Sequence, residues 1–285
     1  MDDNKIFIVG ANGQLGTALR EKYPNAKFAD VGELDITNKT SVKNFDWSDI
    51  DIILNAAAYT NVDGAETDEG RVLAWRINAE GVANLVAVAA QYDMTLVHVS
   101  SDYIFDGTKS PHTEDEVFSP LSVYGASKAA GDLVVSLAPK FYLMRTTWVI
   151  GEGKNFVRTM LGLAEKGISP TVVADQIGRL TFTSELVRSI DHLLTTKAAY
   201  GTYNITNDGP AMSWAEITRE IFKMAGYDKL TVTNTTTEEY FSGKPGIAPR
   251  PLGSEMSLEK LHATGFTSNN WQDDLKQYVE KERGF

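Results

Sequence analysis

Short apolar runs at residues 5–9, 26–29, 51–58, 95–101 and 142–149 read as β-strands, and apolar positions recur at helical spacing between them. The third run, Asp51-Ile52-Ile53-Leu54-Asn55-Ala56-Ala57-Ala58, is nearly all apolar, as a parallel strand covered on both faces requires. A long amphipathic helix is expected over 66–92, and another begins after Ser119-Pro120. Five strand–helix alternations predict an α/β fold of Rossmann type, a doubly wound parallel sheet with right-handed crossovers. Beyond Gly151 the alternation loosens. Helices are expected over 155–166, from a cap at Thr183 or Ser184 to 196, from a cap at Ser213 to 225, and from about 257 and about 270. Strand-like runs lie at 171–174, 202–206 and 230–235. The pattern divides the chain into residues 1–150, which carry the main sheet, and 151–285, a smaller lobe interleaved with the first rather than separable.

The 285 residues suffice for a large core, and a net charge of −11 argues against a nucleic-acid surface, which needs clustered Lys and Arg. An anionic ligand must then be met by local donors, such as a helix N-terminus or a few placed cations. The absence of cysteine excludes disulfides, thiolate metal sites and a cysteine nucleophile. His98, His112, His192 and His262 lack ligand spacing and read as core or surface residues, so no metal site is expected. The acidic start Met1-Asp2-Asp3-Asn4-Lys5 is unlike a signal peptide, and no apolar run approaches about 18 residues. No membrane partner is expected, and the cytoplasm is the expected location.

Gly10-Ala11-Asn12-Gly13-Gln14-Leu15-Gly16 follows the first strand directly and runs into a helical pattern. In that context Gly10 permits a tight turn, Gly13 lets the backbone approach a pyrophosphate, and Gly16 lets helix and strand pack closely. The pyrophosphate would rest on free N–H groups at the helix start. The spacing is G-x-x-G-x-x-G rather than G-x-G-x-x-G. Asp30, twenty residues after Gly10, can accept hydrogen bonds from the adenosine ribose and would repel a 2′-phosphate, weakly favouring NADH over NADPH. Asp35 can meet the adenine amino group and Thr37 can cap the next helix; either acid reads equally as a solvated loop residue.

Tyr124 and Lys128, at i and i+4, share a helical face about one turn apart. A lysine cation beside a phenol favours the phenolate and would lower Tyr124 from its usual pKa of about 10 toward working pH. That makes Tyr124 a candidate general acid toward a carbonyl oxygen while another group delivers hydride. Taken alone, the pair also occurs on solvated surface helices. Ser100, Ser101, Asp102 and Tyr103 fall at the end of the fourth strand and Trp148 near the end of the fifth, where the crevice of a doubly wound sheet lies. Trp148 also reads as a core aromatic.

The glycine turn, Asn55-Ala56-Ala57-Ala58, Ser100-Ser101 and Tyr124-x-x-x-Lys128 stand in the order and spacing of the extended short-chain dehydrogenase/reductase family, which acts on nucleotide sugars. The chain resembles that family over essentially its whole length. Within it, Ala57-Ala58-Tyr59-Thr60-Asn61-Val62-Asp63, Ser101-Asp102-Tyr103-Ile104-Phe105-Asp106-Gly107, Arg145-Thr146-Thr147-Trp148-Val149, Asp175-Gln176-Ile177-Gly178 and Arg250-Pro251 are similar to one branch. Members of that branch reduce the C4 keto group of dTDP-4-dehydro-L-rhamnose to dTDP-L-rhamnose.

The resemblance implies NADH or NADPH bound in residues 1–150 by Gly10, Asn12, Gly13, Gln14, Leu15, Asp30, Asp35 and Ile36, then by Ala57, Ala58, Tyr59, Thr60, Val99, Tyr124 and Lys128. It implies Ser101, Tyr124 and Lys128 as catalytic residues. Ser101, Asp102, Tyr103 and Trp148 would meet the sugar or thymidine, and Arg250 the diphosphate. Two departures stand out: Ser101 replaces a usual threonine, with the same hydroxyl capacity, and Tyr59 replaces a common histidine. Glutamates that bind magnesium in some members are unmatched. The expected partner is a nucleotide-sugar substrate, with the chain a monomer or homodimer. Alternatives are another epimerase, dehydratase or reductase of the family, or a non-catalytic, reductase-like regulatory subunit.

Overall fold

The structure, a computed structural model, describes residues 1–284. Its first half supplies β1 (Ile6–Val9), α1 (Gln14–Lys22), β2 (Lys27–Ala29), α2 (Lys39–Asn44), β3 (Ile52–Asn55), α3 (Asp68–Trp75), α4 (Val82–Gln91), β4 (Thr95–Ser101), α5 (Val123–Val135) and β5 (Phe141–Thr146). The second half adds β6 (Val149–Ile150), α6 (Phe156–Glu165), β7 (Thr171–Val173), β8 (Ile177–Gly178), β9 (Thr181–Phe182), α7 (Thr183–Thr196) and β10 (Gly201–Asn204). It closes with β11 (Met212–Ser213), α8 (Trp214–Met224), β12 (Thr233–Thr235), α9 (Thr237–Phe241), α10 (Glu259–His262) and α11 (Trp271–Arg283).

Six strands form one parallel sheet in the order β2-β1-β3-β4-β5-β10. The chain steps outward from β1 to β2 and returns across β1 to β3, so the winding reverses between β1 and β3 and a crevice opens at their carboxyl ends. This is the Rossmann-type, doubly wound architecture expected. β1 shows how the sequence produces it. Ile6 and Ile8 pack on one face with Leu15, Leu19, Leu186 and Ile190 of α1 and α7, and Phe7 and Val9 pack on the other with Val82 and Leu85 of α4. Each such buried aliphatic side chain contributes roughly 1.5–3 kcal/mol. A third core joins Val157 and Leu161 of α6, Ile217 and Ile221 of α8, and Trp271 and Leu275 of α11.

Several local expectations give way. The helix expected over 66–92 is interrupted: Gly64–Glu66 is a 3-10 turn, and Arg76–Gly81 between α3 and α4 is a π-helical turn. In that turn Asn78 accepts from the Tyr59 N–H (2.9 Å) and donates to the Tyr59 carbonyl (3.1 Å) and the Ser127 hydroxyl (3.0 Å). The helical run Asp68–Gln91 also passes the length and hydropathy test for a membrane span, against expectation, but half of its apolar window is buried inside the molecule, as in a core helix. The strand expected over 142–149 stops at Thr146, because Trp148 takes a left-handed backbone (φ +46°), and Val149–Ile150 pairs with β9 instead. Thr37 does not cap α2. Its N–H and hydroxyl both donate to Asp35, and Asn38 caps the helix. Thr183 and Ser184 lie within the first turn of α7, whose N-cap is Phe182 with its N–H held by Asn207. Ser213 does cap α8, with Glu216 completing a reciprocal box.

Candidate active site

The glycine turn is built by close approach. Gly10 has φ +73°, and a Cβ there would stand 2.6 Å from the Ala57 nitrogen; on Gly16 it would stand 2.1 Å from the Gly10 carbonyl oxygen. Only glycine fits either place. Gly13, by contrast, has room for a Cβ, with Gly10 O at an ordinary 3.5 Å. It is the N-cap of α1 and has no side chain to occupy the first-turn N–H groups, which stay available to an anion. This cradle fits a dinucleotide pyrophosphate.

Two cavities meet at Gly13. One, of about 460 Å³, is lined by Gly10, Asp30, Asp35, Ile36, Ala57 and Ala58, together with Arg76, which the sequence reading missed. The other, of about 370 Å³, is lined by Gln14, Leu15, Thr60, Val99, Ser101, Asp102, Tyr124, Lys128 and Trp148. Their sizes and positions suit an adenosine and a nicotinamide with substrate, respectively.

Four expected cofactor or substrate residues, Asn12, Tyr59, Tyr103 and Arg250, sit elsewhere. Asn12 is exposed; its N–H donates to Asp30 (2.9 Å), and the second Asp30 oxygen accepts from the Val31 N–H (2.8 Å), so this carboxylate braces the glycine turn. Tyr59 and Tyr103 pack with Val62 in the apolar cluster around Tyr124. The Tyr103 and Tyr124 rings meet edge-on at 5.4 Å.

The catalytic candidates come together under burial. Tyr124 is 8% exposed and Lys128 1%. Burial pushes the Tyr124 phenol up to about 12, opposed by a hydrogen bond with Ser101. The expectation that Lys128 lowers it toward working pH is thus corrected: loss of water dominates, and the group that opposes it is Ser101 rather than Lys128. Burial instead brings Lys128 down to about 8, opposed by Asp132. Its Nζ donates to the Val99 carbonyl at 2.7 Å. The Ser101 hydroxyl donates to Asp102 Oδ1 (3.1 Å) and accepts from the Tyr103 N–H (3.2 Å). Asp102 also accepts from Ser254 (2.6 Å), and burial raises its pKa.

Trp148 stacks on Trp214 at 3.7 Å, an indole pair between the catalytic cavity and a third pocket of about 390 Å³. Phe156, Gln176, Trp214, Tyr240, Phe241 and Arg250 line that pocket. Arg250 is engaged there: Nη2 donates to both oxygens of Asp63 at 2.9 Å, and Phe241 lies under the guanidinium at 4.6 Å. Trp214, Phe156 and Phe241 escaped the sequence reading because aromatics at helical spacing read as core.

A parallel sheet wound about a glycine turn, with a buried Tyr–Lys pair and a serine at a strand end, is the arrangement of an extended short-chain dehydrogenase/reductase. Residues 4–283 match the family model described as RmlD substrate binding domain, and the chain belongs to that family. It is 38% identical over 292 residues to a dTDP-4-dehydrorhamnose reductase of Aggregatibacter actinomycetemcomitans, covering 95% of this chain and 97% of that one. Among solved structures it is similar to a dTDP-4-dehydrorhamnose reductase of Clostridium acetobutylicum, with TM-score 0.89, 39% identity and coverage of 98% and 99%. Another from Bacillus anthracis, in complex with NADP, has TM-score 0.88, 36% identity and coverage of 97% and 98%.

Proposed function

We propose that this protein reduces the C4 keto group of dTDP-4-dehydro-L-rhamnose to dTDP-L-rhamnose, using NADH or NADPH. The observation that carries the reading is the buried Tyr124–Lys128 pair beside Ser101, in a cavity that shares Gly13 with the adenosine-sized one. Residues 1–150 hold the dinucleotide, residues 151–285 complete the substrate site, and the chain works as a monomer or homodimer. When bound, NADH or NADPH supplies the hydride. Tyr124 donates its phenolic proton to the C4 oxygen as charge develops there, and a phenol held at about 12 is protonated near neutral pH, the form a donor needs. Ser101 turns its hydroxyl from Asp102 to the same oxygen and stabilises the developing alkoxide. Lys128, as the ammonium, stabilises the phenolate left behind and reaches the ribose hydroxyls. Asp102, Tyr103 and Trp148 shape the sugar site, Arg250 meets the diphosphate, and the aromatic pocket beyond Trp148 suits a flat base.

A dehydratase of the same fold needs a second acid after Asp102. Tyr103 stands there, half-buried and packed edge-on against Tyr124, which favours the reductase. The test is oxidation of NADH and NADPH with freshly generated dTDP-4-dehydro-L-rhamnose. Rapid oxidation is expected. None with either cofactor, from folded protein that binds them, overturns the reading in favour of another nucleotide sugar or a non-catalytic subunit.

A further inference from the structure

Beneath the Tyr124–Lys128 pair lies a histidine that the reaction as written does not use. His98 is fully buried on β4, in register with Asn55 of β3. The Asn55 amide has one orientation: its Oδ1 accepts from the Ala57 N–H at 3.1 Å, which leaves Nδ2 against His98 Nδ1 at 2.9 Å. An amide nitrogen only donates, so Nδ1 must accept and the neutral ring carries its proton on Nε2. A doubly protonated ring would set N–H against N–H. Burial and the Lys128 charge also hold His98 well below its usual pKa. Its Nε2 lies 3.5 Å from Lys128 Nζ. The ring therefore aims a donor at Nζ, which a free amine can accept and an ammonium cannot.

The other groups around Lys128 do not duplicate this effect. From β4 the Val99 carbonyl takes one Nζ hydrogen at 2.7 Å. On α5, Tyr124 stands one turn before Lys128 and Asp132 one turn after it. Asp132 favours the ammonium, but Arg145 of β5 draws on the same carboxylate through Nε at 3.0 Å. Asp102 lies beyond Ser101, where Ser254 and Ser101 hold both its oxygens.

We propose that His98 is a positioning residue for the reduction: locked by Asn55 with Nε2–H toward Lys128, it opposes the ammonium form of Lys128 and thereby sets the alkaline limit of turnover. The proposal rests on the Tyr124–Lys128 reading above, but its primary tests need neither cofactor nor substrate, so the two can fail separately.

The first test is ¹⁵N NMR of the imidazole rings in the unliganded protein, where His98 should show a proton on Nε2 and a bare Nδ1; the opposite tautomer overturns the proposal. The second is a pH titration of lysines labelled with ¹³C at Cε, with Lys128 assigned from its absence in Lys128→Met. Its midpoint should fall near 8, below the surface lysines. In His98→Gln, whose amide can turn an oxygen to Nζ, the midpoint should rise by roughly one pH unit. The alkaline limb of kcat/KM should move with it, which loss of packing alone does not produce. A wild-type Lys128 that titrates with the surface lysines overturns the proposal, as does an unmoved midpoint in folded His98→Gln.

Discussion

A proton donor must be protonated at the pH where it works, and burial would secure this for Tyr124 in the proposed role. Removing the hydroxyl should therefore remove the donor and little else, since the ring of Tyr124→Phe keeps its edge-on contact with Tyr103. The expected result is a fall in kcat of roughly 10²–10⁴-fold, with cofactor affinity, read by fluorescence titration, unchanged. Turnover like that of the wild type would sink the assignment. That Tyr124, Lys128 and Ser101 would line one cavity was legible in the sequence, because helical spacing and a strand end are local signals. The direction of the phenol's shift was not, because it depends on water excluded by Ala65 and Ala74, side chains many residues away. His98 read as an ordinary scattered histidine for a similar reason: its partner Asn55 belongs to the neighbouring strand, and only the sheet register brings them together.

At the scale of elements, the π-helical turn at Arg76–Gly81 is the feature that departs most from a regular helix. Asn78 ties the backbone of Tyr59, next to the cofactor-side loop, to α5 through Ser127. The close fit leaves no room for more, since a Cβ on Gly131 of α5 would stand 2.3 Å from the Asn78 carbonyl oxygen. Asn78→Ala strands the part-buried Tyr59 N–H; a fully buried group so stranded costs about 1–3 kcal/mol, and this one less. A lower Tm by calorimetry is expected, with weaker binding of NADH and NADPH and a smaller effect on kcat. A lowered Tm with unchanged cofactor affinity would confine Asn78 to stability. The helix itself was legible from its period, but the interruption was not, because one polar residue among apolar positions does not distinguish a π turn from a solvated helix face. The glycine turn could be read in advance, since strand, turn and helix follow one another without a gap.

Across the whole molecule an ion pair joins distant parts of the chain, Asp63 from the segment after β3 and Arg250 from the loop before α10. They are 187 residues apart, so no local pattern announces the pairing, and Arg250 read from sequence looked free to take a diphosphate. In a chain of net charge −11, an anionic substrate gains most from a placed cation, yet this one already holds a carboxylate. In the proposed role of Arg250, a diphosphate would share or displace Asp63. Arg250→Ala should raise KM for the nucleotide sugar roughly tenfold or more, the worth of a lost charge-assisted hydrogen bond, while leaving cofactor affinity unchanged. Asp63→Asn separates binding from architecture: if Asp63 competes with substrate for the guanidinium, KM should fall or hold steady. A rise in KM matching that of Arg250→Ala would instead mean that the pair works by holding those parts of the chain together, with the diphosphate met elsewhere.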